Sequence, residues 1–190
     1  MMPQPTLTDG VVWLTPFRRE DGAAIGDFNL DDDHRRWFDQ PPVDPAPAAR
    51  RRHGEEVVDR WQRGWTTQEE LTFAVRLVPE GDAIGMAELR PEQDGRAGIS
   101  YSIVPAHRRR GYATRAVRLL SDAGLAELGF RGIELRCDVE NTASARTAER
   151  AGFAFERIDP DAGFFEHVEG WDDGPRGERV YRRLRARSAG

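Results

Sequence analysis

The chain has 190 residues, of which 32% are charged and 38% hydrophobic, and its formal net charge is −5. This composition predicts one globular domain over residues 1–190. The acidic balance argues against a nucleic-acid binder, which normally presents a broad basic face. We find no signal peptide and no apolar run long enough to cross a bilayer, so we expect no membrane partner. The single cysteine, Cys137, excludes an intramolecular disulfide and favours a reducing, cytoplasmic setting.

Hydrophobic periodicity divides the chain into three parts. Residues 1–70 predict one strand, two helical stretches and a proline-rich surface loop. These are the strand Val11–Arg18, a helical pattern from Glu20 to Trp37 interrupted at "LDDDH", the loop Gln40–Ala48, and the helix Ala49–Trp65. In that last helix, four residues are spaced for one buried face: Val57, Val58, Trp61 and Trp65.

Residues 71–158 predict an antiparallel meander followed by an α/β crossover, and hence a mixed α/β domain. The predicted elements are strands Leu71–Val78, Ala83–Arg90 and Ala97–Val104, helix Tyr112–Leu128, strand Gly132–Val139, helix Thr142–Ala151 and strand Ala154–Ile158. Residues 159–190 contain a long acidic loop and a last strand at Arg179–Leu184.

The turn "VPAHRRRGYATRA", Val104–Ala116, delivers three arginines and a glycine to a predicted helix start. A helix N-terminus carries unpaired N–H groups and a positive dipole end. Gly111 lets the backbone approach a ligand closely, and Ala113 keeps the first helical turn slim. Together these features suit a phosphate group. The alternative on this window alone is a solvated arginine turn.

The pattern Arg108-x-x-Gly111-x-Ala113 resembles the acetyl-CoA pyrophosphate loop of the GNAT superfamily of N-acetyltransferases. "GYAT" followed by "RA" is similar to the branch containing the RimJ/RimL-type protein N-terminal acetyltransferases. Downstream, "IELRCDVENTASARTAERAGFAFE" resembles the next strand, Asn-x-x-Ser segment and helix of that family. The resemblance implies a central, mostly antiparallel sheet of six to seven strands, splayed in the middle and flanked by about four helices.

The resemblance also implies acetyl-CoA as co-substrate, with pantetheine lying between the strands Ala97–Val104 and Gly132–Val139. Backbone groups near Ile103 and Val104 would pair with the pantetheine amides, and an N–H near Val104 could hold the oxyanion. The diphosphate would sit on the amides of Arg109–Ala113, with Arg108 alongside. The implied cofactor-binding residues are Ile103, Val104, Arg108, Arg109, Arg110, Gly111, Tyr112, Ala113, Thr114 and Asn141.

Asn141 and Ser144 have both a structural and a functional interpretation. Asn141 is a good N-cap for the helix that follows, and Ser144 stands at its third position. Gly152 then supplies a left-handed stop, with Phe153 as the hydrophobic contact after it. In the family this helix start faces the thiol end of the co-substrate, so the resemblance implies Ser144 as the acid that protonates the departing thiolate.

The general base is the weak point of the resemblance. RimJ/RimL-type relatives often carry a Glu in the strand assigned here to Ala97–Val104, but "AGISYSIV" contains no carboxylate. Glu88 is the substitute candidate, and the alternative is a surface Glu alternating with Met86 and Leu89. A reaction without a base is also open, because a peptide α-amine with a pKa of about 7.7–8.0 is partly unprotonated at neutral pH.

The acceptor amine, a peptide N-terminus or a small molecule, is expected to meet acidic and aromatic residues. Two acidic segments, Asp31–Asp33 and Glu166–Asp173, would steer a cation, although solvated loops are the simpler interpretation. The candidate substrate-binding residues are Asp32, Trp37 and Phe164. We expect no metal, because the histidines lack ligand spacing: His34, His53, His107 and His167.

The sequence suggests two rival functions. A catalytically degenerate acyl-CoA-binding or sensing module would keep the loop and lose the chemistry, as the missing Glu suggests. A Rossmann-type nucleotide binder is disfavoured, since "RRRGYA" is not the triple-glycine fingerprint. Relatives often pair as homodimers, and the tryptophan-bearing segments are candidates for such a contact or for the core.

Overall fold

A single sheet of eight strands crosses the described part of the chain in the order β1-β2-β3-β4-β5-β6-β8-β7. The computed structural model describes residues 4–28, 30–38, 44–160 and 177–185. The strands are β1 Leu7–Thr8, β2 Trp13–Thr15, β3 Leu71–Arg76, β4 Gly85–Pro91, β5 Ala97–Ile103, β6 Gly132–Asp138, β7 Ala154–Asp159 and β8 Glu178–Leu184. Neighbouring strands are antiparallel except β5 and β6, which run parallel.

Five α-helices accompany the sheet within the same described ranges. They are α1 Gly22–Phe28, α2 Asp32–Phe38, α3 Pro47–Thr67, α4 Tyr112–Ala126 and α5 Thr142–Arg150, with short 3-10 turns at Arg19–Asp21 and Pro105–His107. The mixed α/β fold is as predicted, with at least one strand and one helix more than expected. The proline-rich segment ends earlier than predicted, because Pro47 opens α3, where its missing N–H is no loss. Residues 39–43 of that segment lie outside the described ranges.

The helices cover two opposite faces of the sheet. Successive strand residues point to opposite faces, so Phe73, Ala87 and Tyr101 share one face. There, α4 and α5 pack on the sheet and form the larger core cluster, in which Ala116, Val117 and Leu120 are fully buried. The apolar stripe predicted on α4 is therefore its core face.

Ala74, Met86 and Ser102 share the other face of β3, β4 and β5. A smaller cluster packs there, with Phe28 from α1 and Trp61 from α3 among its members. Trp61 and Trp65 are both only 8% exposed. These two tryptophans therefore belong to the core and are not available for a dimer contact.

A buried ion pair fixes β3 to the turn before α1. Arg76 is 0% exposed, and its guanidinium donates to both carboxylate oxygens of Asp21. The same guanidinium also donates to Thr15 Oγ1 at 2.8 Å and to the Gly81 carbonyl at 2.6 Å. With these four hydrogen bonds, every nitrogen of the buried guanidinium has an acceptor. Among all the helices of the described residues, none is long and apolar enough to span a membrane.

Candidate active site

The start of α4 forms an open anion-binding surface. Gly111 is the N-cap, with φ 81°, and Arg109 two residues earlier is also left-handed, with φ 61°. Such backbone conformations turn successive N–H groups toward one side. The first hydrogen bond of the helix runs from the Arg115 N–H to the Gly111 carbonyl, at 3.1 Å. The N–H groups of residues 110–114 therefore have no acceptor among the described residues.

The space above this helix start is empty of protein. A Cβ built on Gly111 would meet no atom within 4 Å. The unpaired N–H groups, the positive helix end and this open space together suit a phosphate or diphosphate group. The sequence pattern around Gly111 predicted this geometry.

β5 and β6 separate immediately beside this surface. The two strands pair only at Ala97–Ile133 and Gly98–Glu134, and pairing ends there although both strands continue. The result is a split in the sheet that opens toward the α4 start. Its β5 edge carries unpaired main-chain groups, and an extended ligand could pair with them as an added strand would.

One backbone group assigned to this edge is already occupied. The Val104 N–H donates to the Ile84 carbonyl at 2.9 Å, so this N–H is not free to hold an oxyanion, and an oxyanion donor near Val104 stays a prediction. The chain turns after β5 while keeping this contact with the segment before β4. The next carbonyl back, that of Ile103, accepts a hydrogen bond from Arg108 Nε at 2.8 Å.

Arg108 binds the acidic loop before α2. Its guanidinium pairs with Asp31, and it lies 3.2 Å from the Asp33 carboxylate. In this arrangement the Arg108 side chain links the turn before α4 to the segment at the start of α2. To lie alongside a diphosphate, as predicted, Arg108 would have to give up its contacts with Asp31 and Asp33.

Tyr101, Ser144 and Asn141 join the two sides of the split on the α4/α5 face. The Tyr101 hydroxyl donates to Ser144 Oγ at 3.1 Å, linking β5 to the first turn of α5. The Asn141 side chain accepts from the Ser144 N–H at 3.0 Å, which confirms the predicted N-cap. Gly152, with φ 90°, and the buried Phe153 form the predicted helix stop.

Tyr101 is a candidate that the sequence reasoning missed. It shares one face of β5 with Ile99 and Ile103, and a tyrosine on a buried face needs a partner for its hydroxyl. Burial raises the pKa of the Tyr101 hydroxyl, and the Ser144 hydroxyl opposes that shift. The phenol is therefore neutral and donates a hydrogen bond to Ser144.

Glu88 is buried, and the interpretation of it as a surface residue is wrong. Its side chain is 4% exposed and lies on β4 opposite Ser100. Thr72 Oγ1 donates to one oxygen at 3.0 Å and Arg90 to the other at 2.7 Å. Burial raises the pKa of this carboxyl, while Arg90 pulls it back. Glu88 is also one strand removed from the split, so its part as a base stays a prediction.

Of the two predicted acceptor residues on α2, Asp32 lines an open cleft, whereas Trp37 is not among the described residues that line it. The cleft has a volume of about 530 Å³ and is lined by Asp27, Leu30, Asp31, Asp32, Asp33 and Pro105. Asp32 is exposed and pairs with Arg35, and the Arg36 guanidinium stacks 4.6 Å above the Trp37 ring. Phe164 and the acidic segment Glu166–Asp173, like His167, lie outside the described residues.

Cys137 on β6 is a buried, unreactive thiol. It is 7% exposed, and burial raises its pKa to about 11 although the Ser144 hydroxyl opposes this. This agrees with its interpretation as a small core residue. No group of three or more His, Cys, Asp or Glu side chains suited to a metal ion occurs in the described part of the chain.

The split in the sheet thus lies beside a helix start lined by unpaired N–H groups, an arrangement that suits an extended ligand with a phosphate group. The family model described as "Acetyltransferase (GNAT) domain" matches residues 12–154. The chain belongs to this family of acetyltransferases.

Individual relatives agree with the family assignment. Spermidine N(1)-acetyltransferase of Escherichia coli (strain K12) is 28% identical over 150 residues, covering 76% of this chain and 74% of that protein. Among solved structures, RimL, a ribosomal L7/L12 alpha-N-protein acetyltransferase in complex with coenzyme A, aligns at TM-score 0.74 and 16% identity, over 95% of this chain and 98% of that one.

A second structure of the same kind is ribosomal-protein-S5-alanine acetyltransferase from Vibrio fischeri. It aligns at TM-score 0.74 and 13% identity, over 95% of this chain and 97% of that chain. At these identities the two structures establish a common fold. The structural neighbours therefore include RimL-type ribosomal-protein acetyltransferases, the branch that the "GYAT" motif resembles.

Proposed function

We propose that this chain transfers the acetyl group of acetyl-CoA to a primary amine by direct attack of the amine on the thioester. The observation that carries the proposal is the split between β5 and β6 beside unpaired N–H groups of residues 110–114. A diphosphate bound at those N–H groups leaves the pantetheine arm beside the split. No metal takes part in the proposed reaction.

The start of α4 provides the proposed binding site, or seat, for the diphosphate. Main-chain donors of Arg109, Arg110, Gly111, Tyr112 and Ala113 would bind it, and the Thr114 side chain lies in the same turn. Hydrogen bonds to a charged acceptor contribute about 1.5–3 kcal/mol each, so a few of them account for micromolar binding. Arg108 would exchange Asp31 and Asp33 for the diphosphate. The pantetheine amides would pair with backbone groups near Ile103 and Val104 that the Val104–Ile84 and Arg108–Ile103 hydrogen bonds leave open.

Ser144 is proposed as the group that protonates the thiolate of coenzyme A. Its hydroxyl already accepts a hydrogen bond from Tyr101, so its own proton is directed elsewhere. When Ser144 gives that proton to the thiolate, Tyr101 can replace it. Asn141 holds the Ser144 backbone in place through the N-cap.

For the acceptor, we propose a cationic amine that approaches along the acidic cleft beside α2. Carboxylates concentrate cations near a site and raise association rates. The spermidine acetyltransferase relative acts on a small polyamine, and the RimL neighbour on a protein α-amine, so both amine classes belong in the test. Asp32, Trp37 and Phe164 are the proposed contact residues.

The test measures thiol release from acetyl-CoA with spermidine, lysine and a peptide bearing a free α-amine. The proposal predicts turnover with at least one amine and a lower kcat for Ser144→Ala. Ser121→Ala is the matched control, because Ser121 is a buried serine that donates to the Val117 carbonyl within α4. A chain that binds acetyl-CoA but acetylates none of the panel would contradict the proposal.

A further inference from the structure

His34 and Ser102 form a hydrogen-bonded pair that the sequence analysis did not single out as a site. His34 is in the first turn of α2, and its Nδ1 lies 2.9 Å from Ser102 Oγ. Ser102 is buried on β5, the strand that borders the split. The imidazole stacks on Phe38 at 4.6 Å between ring centroids and lies 5.7 Å from Phe28. Packing thus holds the ring in one orientation against the strand.

The pair lies on the face of the sheet opposite α4 and α5, the face next to the acidic cleft. Tyr101, Ser144 and the two helices α4 and α5 cover one face of the split. Ser102 alternates with Tyr101 along β5, so its hydroxyl points to the opposite face. That face is shared with α1, α2 and the acidic cleft. A nucleophile that reaches the β5 edge of the split from this side passes the Ser102 hydroxyl.

The imidazole is neutral in the folded chain. The pKa of His34 is lowered to about 4, chiefly by burial; the Asp31 carboxylate opposes this shift and the Arg108 guanidinium adds to it. Arg108 and Asp31 bind each other in this structure. If Arg108 exchanges Asp31 for the diphosphate, as proposed above, the Asp31 carboxylate is left beside the ring and favours its protonation. A neutral imidazole has one unprotonated nitrogen, and a proton can therefore pass to it from a neighbouring hydroxyl.

We propose that Ser102 and His34 carry away the proton of the attacking amine. This inference rests on the proposed acetyl transfer. The amine attacks in its neutral form, having lost one proton to water. As its nitrogen forms the bond to the acetyl carbon, the proton that the nitrogen must lose passes to Ser102 Oγ, and the Ser102 proton passes to Nδ1 of a His34 ring whose own proton is on Nε2. The C–S bond then breaks, and the thiolate takes a proton from Ser144. The imidazolium returns its proton to solvent, and solvent returns one to the Tyr101–Ser144 pair, so the enzyme is restored and the products are the amide and coenzyme A.

This route accounts for the absence of a carboxylate on β5. Ser102 touches the reacting amine, and His34 acts through Ser102. Glu88 lies one strand further from the split and has both carboxylate oxygens engaged by Thr72 and Arg90. The proposed route from Ser102 to His34 therefore begins on β5, the strand that borders the split, whereas Glu88 lies on β4 and does not reach the reacting atoms.

The test compares His34→Asn, Ser102→Ala and the double variant with wild type, using acetyl-CoA and whichever of spermidine, lysine or a free α-amine peptide the wild type acetylates. Asparagine keeps a hydrogen-bonding atom near the Nδ1 position but cannot take up a proton. We expect kcat to fall about 100-fold in His34→Asn, at the lower end of general-base effects because the acceptor is weakly basic. The KM for acetyl-CoA should stay within about twofold.

The double variant distinguishes a shared proton route from two separate roles. If both residues serve one route, the loss in the double variant is no larger than in the worse single variant. His53→Asn on α3 and Ser121→Ala on α4 are the matched controls and should keep wild-type kcat. Thermal unfolding of each variant confirms that it is folded.

The inference is overturned by a folded His34→Asn variant whose kcat stays within about threefold of wild type, or by losses that multiply in the double variant. Either result would leave acetyl transfer by the wild type intact, and with it the proposed function. A wild-type chain that acetylates none of the three amines overturns both.

Discussion

Replacing Gly111 by alanine separates the role of this residue in folding from its proposed role in binding. Gly111 has φ 81°, in the left-handed region that an L residue occupies at a cost of about 1–2 kcal/mol. No protein atom lies within 4 Å of the Cβ position, so the substitution causes no clash within the chain. Its effect on the free energy of unfolding is therefore that backbone strain alone.

Gly129 provides a matched control near the opposite end of α4. Its φ is 79°, and a Cβ added there also meets nothing within 4 Å. Gly129→Ala should therefore lower the free energy of unfolding by about the same 1–2 kcal/mol as Gly111→Ala. The two variants differ in one respect, which is that only Gly111 lies at the proposed diphosphate seat.

Binding of coenzyme A should distinguish the two variants. A methyl group at position 111 would hold the diphosphate away from the N–H groups, and one hydrogen bond to a charged acceptor is worth about 1.5–3 kcal/mol. We expect Kd to rise about 10–100-fold in Gly111→Ala and to stay near wild type in Gly129→Ala, measured by titration calorimetry with unfolding followed in urea. Equal affinities in the two variants would refute the seat at Gly111.

Three further predictions concern the framework around the site. Asp21→Asn leaves the fully buried Arg76 without a charge partner and should lower the free energy of unfolding by about 3–5 kcal/mol, measured in urea; a change below 1 kcal/mol would contradict the buried pair. Asn141→Ala removes the cap of α5 and should cost about 1 kcal/mol, whereas Asn141→Asp should retain most of the stability, and equal losses would argue against capping. Cys137, with a pKa of about 11, should react slowly with iodoacetamide at pH 8 in the folded chain, and faster as pH rises toward 11 or after unfolding; fast labelling of the native protein by mass spectrometry would show that the thiol is not buried.

Local sequence signals were sufficient to predict where α4 begins and where α5 begins and ends. Gly111 before an apolar-striped segment predicts the start of α4, and Asn141 and Gly152 predict both ends of α5. Each signal acts within a few residues of itself through capping or a left-handed turn. That is why these positions agree with the structure to within a residue or two.

Long-range contacts account for what the sequence did not reveal. Ser102 and His34 are 68 positions apart, and Arg108 and Asp31 are 77 apart, so no local pattern indicates that either pair forms. Periodicity alone also gave no reason for β5 and β6 to separate after Gly98, and the split was expected only from the family resemblance. The two-residue strand β1 is too short for any periodic signal.

A crystal structure of the chain with coenzyme A tests the central claim most directly. The account predicts the diphosphate within hydrogen-bonding distance of the N–H groups of residues 110–113 and the pantetheine arm between β5 and β6. A complex with the diphosphate elsewhere, or with the split still free of the pantetheine arm, would contradict it.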